Sequence, residues 1–166
     1  YLLNERTKGK YREPIFDEVI SGYSNLDIFY VDNHNSKESF DILHKINPEI
    51  IFLATGNIIS PKILETAELG ALNSHPGILP YYQGCSCVEW SIINNDPVGA
   101  TCHLAVEKVD SGGILYKEEM RVLKEDDYYD IRIKMIYHVA KVMAKGARIF
   151  LDNKRLSSKT KSRIDF

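Results

Sequence analysis

The feature that most constrains the fold is a five-residue run, Ile50–Ala54, that is apolar at every position and rich in β-branched side chains. A strand that is apolar on both faces is typical of a parallel sheet covered by helices on both sides. A glycine-containing turn at 55–57 follows it, then a short helix predicted from Ser60 to Ala67 and a second strand predicted over 70–73. This strand–helix–strand order with short connections predicts a parallel, helix-covered sheet.

The segments on either side extend this pattern. In chain order we expect a helix at Tyr11–Ile20, a strand at Leu26–Val31, a helix beginning at Asn35, a helix at Cys87–Asn94, strands at Ala100–Val106 and Gly113–Met120, and a long helix from Asp126. Asn35, with Glu38 three residues later, is the predicted helix cap. The whole predicts an α/β, Rossmann-like fold with a mostly parallel sheet, helices on both faces and a C-terminal antiparallel strand pair.

Length and charge narrow the class of protein. The 166 residues favour one domain, which we place at 1–153, followed by a basic C-terminal tail at 154–166. The net charge of −2 argues against a nucleic-acid partner, which a clear basic excess would indicate. The longest apolar runs fall short of the ~18 residues that a membrane span needs, so we expect no membrane association.

The three cysteines are too few to predict a disulfide framework or a zinc site, and a cytoplasmic protein without a metal is expected. The chain opens at Tyr1 in what reads as the end of a strand. We therefore expect the first strand of the sheet and its loop to precede this sequence.

The candidate site centres on the end of the strand that delivers Asn73 and His75. Residues i and i+2 of a strand point to the same face, so the amide and the imidazole can reach one small volume. Pro76 favours an extended backbone at His75, which preserves that arrangement.

Three loops are expected at the carboxyl ends of strands, where ligands bind in open α/β sheets: 55–60, 73–84 and 107–112. They add Asp110 to Asn73 and His75, a set suited to acyl-group chemistry without a metal. Asn73 would donate to a developing oxyanion, His75 would share that role or act as general acid, and Asp110 would hold His75 protonated.

Each of these residues also fits a structural role. Asn73 could cap a turn, His75 could be a packed loop residue, and the sequence from Asp110 to Gly113 is ordinary for a turn. His103, on an alternating strand, could be a core residue or could support the site residues, and we favour the structural role. On residue chemistry alone, the sequence indicates an α/β enzyme for which acyl chemistry is one interpretation.

Three motifs in order resemble the folate-dependent formyltransferase family, whose members include glycinamide ribonucleotide, methionyl-tRNA and amino-sugar formyltransferases and formyltetrahydrofolate hydrolase. They are Asn-Ser-His at 73–75, Ile-Leu-Pro-Tyr-Tyr-Gln-Gly at 78–84, and Asp-Ser-Gly at 110–112. The strand segment Gly-Ala-Thr-Cys-His at 99–103 is also similar to its counterpart in the family. Two positions depart from the family pattern: Gln83 stands where many members have arginine, and Gly77 where serine is usual.

The resemblance implies roles for particular residues. It implies a catalytic triad of Asn73, His75 and Asp110. It implies folate binding by two loops, made of Gly56, Asn57, Ile58 and Ile59 on one side and Glu107, Lys108 and Val109 on the other. It implies that the loop after the triad histidine forms a wall toward the acceptor, through Pro80, Tyr81, Gln83 and Gly84.

The implied activity is transfer of a formyl group from 10-formyltetrahydrofolate, a co-substrate, to a primary amine through a tetrahedral intermediate. The amine would belong to a small molecule, of the amino-sugar nucleotide or the glycinamide ribonucleotide type, so amino-sugar or purine biosynthesis is implied. Two alternatives stay open: hydrolysis of formyltetrahydrofolate to formate, and a folate-binding homologue without activity. The sequence also leaves open whether the protein forms a homodimer.

Overall fold

The computed structural model describes residues 20–161 of the chain. Four helices lie in this range: α1 Lys37–Ile46, α2 Pro61–Leu64, α3 Cys87–Ile93 and α4 Tyr128–Lys161. Four strands accompany them: β1 Ile51–Leu53, β2 Ala71–His75, β3 Gly99–Ala105 and β4 Ile114–Glu119. The predicted α/β class is confirmed, and so are the predicted α3, the β3–β4 pair and the long final helix.

The strands form one sheet in the order β1-β2-β3-β4. β1 runs parallel to β2, while β2 pairs antiparallel with β3 and β3 antiparallel with β4. The described part of the sheet therefore has one parallel and two antiparallel pairs. Antiparallel pairs predominate because β3, a member of the predicted antiparallel pair with β4, is also hydrogen-bonded to β2.

The alternation of side chains divides β2 and β3 between two environments. On one face, the Ser74 hydroxyl donates to the Val139 carbonyl of α4 at 2.8 Å, and Cys102 packs against Met143 of the same helix. Asn73 on β2 and Thr101 on β3 each neighbour one of these two residues along their strand, and they consequently point away from α4. One face of the sheet thus forms the core with α4, and the opposite face is left for polar side chains.

The core is a cluster of buried side chains from the sheet, α3 and α4. Its members are Leu72, Val88, Val98, Ala100, Cys102, Ile131, Met135, Val142, Ala147 and Phe150. Gly146 lets α4 approach β3 closely, because a Cβ there would lie 2.4 Å from the Sγ of Cys102. This contact fixes the helix against the strands that carry the candidate site.

Several predicted features differ from the structure at the N-terminal side. The helix predicted over 11–20 lies outside the described residues except at its last position. The strand predicted over 26–31 does not form: the segment pairs with no strand among the described residues, and Phe29 and Tyr30 are exposed. The α1 cap is Ser36, whose hydroxyl accepts from the Ser39 amide, and not Asn35.

One further expectation needs correction. Phe52 is 50% exposed, so β1 is not covered on both faces. Helix α4 continues to Lys161, and the domain division at residue 153 stays a prediction. Among the helices described, none is both long enough and apolar enough to cross a membrane.

Candidate active site

The site is built on the face of the sheet that points away from α4. Asn73 and His75 both lie on this face, as their spacing predicts, and the register places Asn73 beside His103 and His75 beside Thr101. His75 is only 4% exposed. The strand therefore presents an amide and an imidazole side by side in a largely water-excluded position.

Asp110 closes the site from above this face. Its Oδ2 lies 3.3 Å from Nδ1 of His75 and accepts a hydrogen bond of 2.9 Å from the Gly84 amide. Its Oδ1 lies 3.5 Å from Nε2 of His103. Asp110 has φ 52°, a left-handed conformation that non-glycine residues seldom adopt and that is often found at functional sites.

The route by which Asp110 arrives differs from the prediction. β3 runs antiparallel to β2 and ends with Ala105 opposite Ala71, at the edge where β2 begins. The 107–112 loop therefore leaves the sheet at the end where β2 begins. It folds back over the face that carries Asn73 and His75. At its return, Gly112 packs so close to the Leu104 carbonyl that a Cβ would lie 1.8 Å from the oxygen.

His103 joins the triad into one network. Its Nδ1 donates to the Leu104 carbonyl at 2.8 Å, and in the tautomer that this bond selects Nε2 accepts from Nδ2 of Asn73 at 3.3 Å. The same Nε2 faces Asp110. His103 thus lies between Asn73 and Asp110: it accepts a hydrogen bond from Asn73 and approaches the Asp110 carboxylate, so its role extends beyond the structural one expected from the sequence. The signal that could have found it is the antiparallel register, which places it beside Asn73.

Burial opposes the predicted effect of Asp110 on the pKa of His75. Burial lowers the pKa of His75 below its ordinary value of 6.5, and the neighbouring His103 lowers it further. The carboxylate of Asp110 and the carbonyl of Tyr82, 2.9 Å from Nε2, raise the pKa but offset only part of the effect of burial. The imidazole is therefore mainly neutral near pH 7 and able to take up a proton.

A thiol completes the surroundings of this imidazole. Sγ of Cys87, at the first residue of α3, lies 3.2 Å from Nε2 of His75 and 3.4 Å from the Gly84 carbonyl. Burial raises the pKa of the Cys87 thiol to about 11. Cys87 is thus a thiol and not a thiolate near neutral pH, and it acts here as a weak hydrogen-bond partner.

The loop after β2 is tied down on both sides. Thr101 donates to the Gly77 carbonyl at 2.7 Å and accepts from the Leu79 amide at 3.1 Å, and Leu79 is fully buried. The Leu79–Pro80 peptide bond is cis. Gln83 donates from Nε2 to the Asp110 carbonyl at 3.1 Å. The 77–84 loop is thereby locked to both the sheet and the Asp110 loop.

The predicted acceptor wall thus has two kinds of residue. Gln83 and Gly84 are engaged with Asp110, the first through its side chain and the second through its amide. Pro80 and Tyr81 are exposed, Tyr81 to 79%. Gln83 and Gly84 are exposed as well, so the two pairs differ in their contacts with Asp110 and not in their exposure.

The predicted folate-binding residues occupy the two exposed loops. Gly56, Asn57, Ile58 and Ile59 follow β1, which runs parallel to β2 with Leu53 beside Asn73. Glu107, Lys108 and Val109 immediately precede Asp110 and are also exposed. The structure places one loop beside Asn73 and the other beside Asp110.

A cavity of about 730 Å³ lies on the other side of Tyr82 from His75. The Tyr82 carbonyl contacts His75, whereas its hydroxyl donates to Asp96, which lines the cavity. Tyr81 belongs to its lining, but Asn73, His75 and Asp110 do not. We place the chemistry at the triad, because the cavity lining described here lacks the amide–imidazole–carboxylate arrangement.

The sequence matches the family described as Formyl transferase over residues 7–144. It is 33% identical over 131 residues to the bifunctional polymyxin resistance protein ArnA of Wigglesworthia glossinidia brevipalpis, covering 78% of this chain and 20% of that protein. It is 37% identical over 103 residues to a methionyl-tRNA formyltransferase of Halothermothrix orenii, covering 61% and 33%. The chain therefore spans only a fifth to a third of these two relatives.

The fold has counterparts among solved structures. The formyltransferase PseJ from Anoxybacillus kamchatkensis, solved in complex with UDP-4,6-dideoxy-4-formamido-L-AltNAc and tetrahydrofolate, superposes with a TM-score of 0.62. The match covers 81% of this chain and 70% of that chain at 24% identity, a level that shows the fold alone. With the family match across most of its length, this chain belongs to the formyl transferase family.

Proposed function

We propose that this chain transfers a formyl group from 10-formyltetrahydrofolate to a primary amine of a small molecule. The observation that carries the proposal is the buried network that links Asn73, His103, Asp110 and His75 on one face of the sheet. Such a network supplies a hydrogen-bond donor for an oxyanion next to a proton acceptor, which amine acylation requires.

Each residue takes a definite part in the reaction. The amine nitrogen bonds to the formyl carbon, and the formyl oxygen gains negative charge that the Asn73 amide stabilises. The Asp110 carboxylate receives the proton that the amine loses and passes it to Nδ1 of His75, which lies 3.3 Å from Oδ2 of Asp110. The bond from the formyl carbon to N10 then breaks, and N10 receives this proton back through Asp110 while the formamide is released.

The two exposed loops fit a flat heterocyclic co-substrate. A Cβ at Gly56 would meet no atom within 4 Å, so a planar ring has access to the loop backbone there. The Glu107–Val109 segment lies next to the carboxylate that faces the reacting atoms. The pterin would lie between these segments, with its formyl group toward Asn73.

For the acceptor we propose a small amine of the amino-sugar nucleotide or glycinamide ribonucleotide type. The exposed Pro80 and Tyr81 support this assignment, because a carbon-rich surface at the mouth of the site suits stacking of a sugar or base. The division at residue 153, the cytoplasmic location and a homodimer stay predictions.

The test is a screen of amine acceptors with 10-formyltetrahydrofolate, in which the release of tetrahydrofolate is measured. Amine-dependent release with formation of a formamide supports the proposal. Stoichiometric formate without any amine would instead establish the hydrolase, and folate binding without turnover on any amine or on water would establish an inactive homologue.

The first mutational prediction concerns Asn73. Asn73→Ala should lower turnover about 100- to 1000-fold, the usual effect of removing one oxyanion donor. Asn153→Ala, on the exposed surface of α4, is the matched control and should leave turnover unchanged. A loss of less than about 3-fold in Asn73→Ala would remove this residue from the reaction.

A further inference from the structure

The 56–60 loop shares two hydrogen bonds with a side chain more than 20 residues earlier in the chain. The Asn35 amide donates from Nδ2 to the Ile58 carbonyl at 2.8 Å. Its Oδ1 accepts from the Ser60 amide at 2.7 Å. One side chain thus satisfies one carbonyl and one amide of the loop, both at distances typical of strong N–H···O bonds.

Asn35 is itself held in place. Its backbone amide donates to Oδ1 of Asn33 at 2.8 Å, and the Asn33 carbonyl accepts from the hydroxyl of buried Ser39 at 2.7 Å. Ser36, the next residue, caps α1. The side chain that reaches the loop therefore projects from a rigid helix start.

The loop has little support of its own. Inside it, the Asn57 amide donates to the Thr55 hydroxyl at 3.1 Å, but residues 54–58 are exposed and Ile58 reaches 71%. Beyond the loop, Lys62 of α2 lies 4.1 Å from the centre of the Phe40 ring of α1, so the same two segments meet a second time. The arrangement joins the loop to the start of α1.

We propose that Asn35 is a positioning residue that holds the 56–60 loop in the shape that receives the folate co-substrate, an inference that rests on the proposed function. The 56–60 loop begins three residues after Leu53, which pairs with Asn73, so its backbone follows the strand that lies beside the triad. A loop ordered before binding spares the ligand the entropic cost of ordering it. Asn35 therefore acts on affinity for the co-substrate and not on the chemical step.

The test compares the kinetic constants of Asn35→Ala with those of wild type and of Lys45→Ala. Asn35→Ala should raise the KM for 10-formyltetrahydrofolate and the Kd for tetrahydrofolate about 10-fold, with kcat within about 2-fold, as the loss of two hydrogen bonds implies. Lys45→Ala changes an exposed residue near the other end of the same helix, far along α1 from Asn35, and should leave both constants at wild-type values.

A second readout does not require the ligand. Hydrogen exchange of the Ser60 amide should accelerate in Asn35→Ala but stay slow in Asn35→Asp, which keeps the acceptor for this amide and loses only the donation to Ile58. Unchanged exchange and unchanged KM in Asn35→Ala would overturn the inference, as would a loss confined to kcat. Wild-type protein that neither binds tetrahydrofolate nor releases it would overturn the proposed function as well, which separates the two failures.

Discussion

At the scale of single residues, the site depends on close approaches that only particular side chains permit. Asp110 combines a left-handed backbone with three polar neighbours, and aspartate is among the residues that tolerate this conformation best. Gly77 is constrained by space in another way. A Cβ there would lie 2.8 Å from Nε2 of His75 and 2.7 Å from the Tyr82 carbonyl.

We therefore expect Gly77→Ala to displace His75 and to lower turnover at least 10-fold, because overpacking a buried position shifts its neighbours and costs about 1–3 kcal/mol. Gly113→Ala is the matched control, since its added methyl would meet only Cδ1 of Leu104 at 3.8 Å, an ordinary contact. Steady-state kinetics and thermal melting of the two variants check the prediction. Equal turnover in both would show that His75 has room to move.

The residues of the site differ in how far the sequence predicts them. Asn73 and His75 follow from strand alternation, and Asp110 follows from the expected position of the 107–112 loop and from the motif spacing of the resemblance. Asn35 illustrates what is missed: a side chain that precedes a helix suggests a local cap, and its actual partners at Ile58 and Ser60 are 23 and 25 residues away. Local pattern contains no information on such a contact, because it depends on how β1 is placed beside α1.

At the scale of elements, the packing of α4 on β3 fixes the face that carries the site. Cys102 and His103 are consecutive, so the surface that packs on Gly146 and the surface that faces Asp110 are two sides of one strand. A bulge between Cys102 and His103 interrupts the pairing with β4 at this point. Bulges re-aim side chains, and this one lies where His103 must turn toward the triad.

Gly146→Ala should destabilise the fold by about 1–3 kcal/mol, since the new Cβ would overlap Sγ and Cβ of Cys102. Helix propensity alone predicts the opposite, because alanine is favoured over glycine by about 1 kcal/mol. Ala144→Gly, at an exposed position of the same helix, measures separately how much helix propensity contributes to the free energy of unfolding. Urea unfolding distinguishes the two effects, and a more stable Gly146→Ala would refute the close packing.

The predicted helix α3 and the β3–β4 pair are confirmed, whereas one predicted strand is not. The helix Cys87–Ile93 ends at the predicted Asn-Asn-Asp-Pro breaker. The strand predicted over 26–31 has a suitable composition, but a strand also needs a hydrogen-bonded neighbour, and the described residues provide none there. The direction of the 107–112 loop was likewise beyond prediction, because it depends on the antiparallel register of β3.

At the scale of the whole molecule, stability should depend on pH through two separate groups. The pKa of His75 is lowered by burial, so the unfolded chain binds a proton more readily than the folded one. Stability from this group is complete above about pH 6.5 and is lost as the pH falls through the folded pKa. On the opposite side of the sheet, Lys141 and Lys145 of α4 and the hydroxyl of Tyr116 lower the pKa of Glu118 from 4.5 to about 2.

Glu118 therefore stabilises the packing of α4 on β4 above about pH 4.5, and its contribution disappears as the pH falls toward 2. Urea midpoints between pH 8 and pH 3 should decline in two steps, one below 6.5 and one below 4.5. His75→Gln should flatten the first step alone and Glu118→Gln the second alone, because the two groups belong to opposite sides of the sheet. Added salt should weaken the Glu118 step more, since its lysine partners are about half exposed and His75 is buried. A wild-type midpoint that stays constant between pH 7 and pH 5 would show that His75 titrates as it does in an unfolded chain.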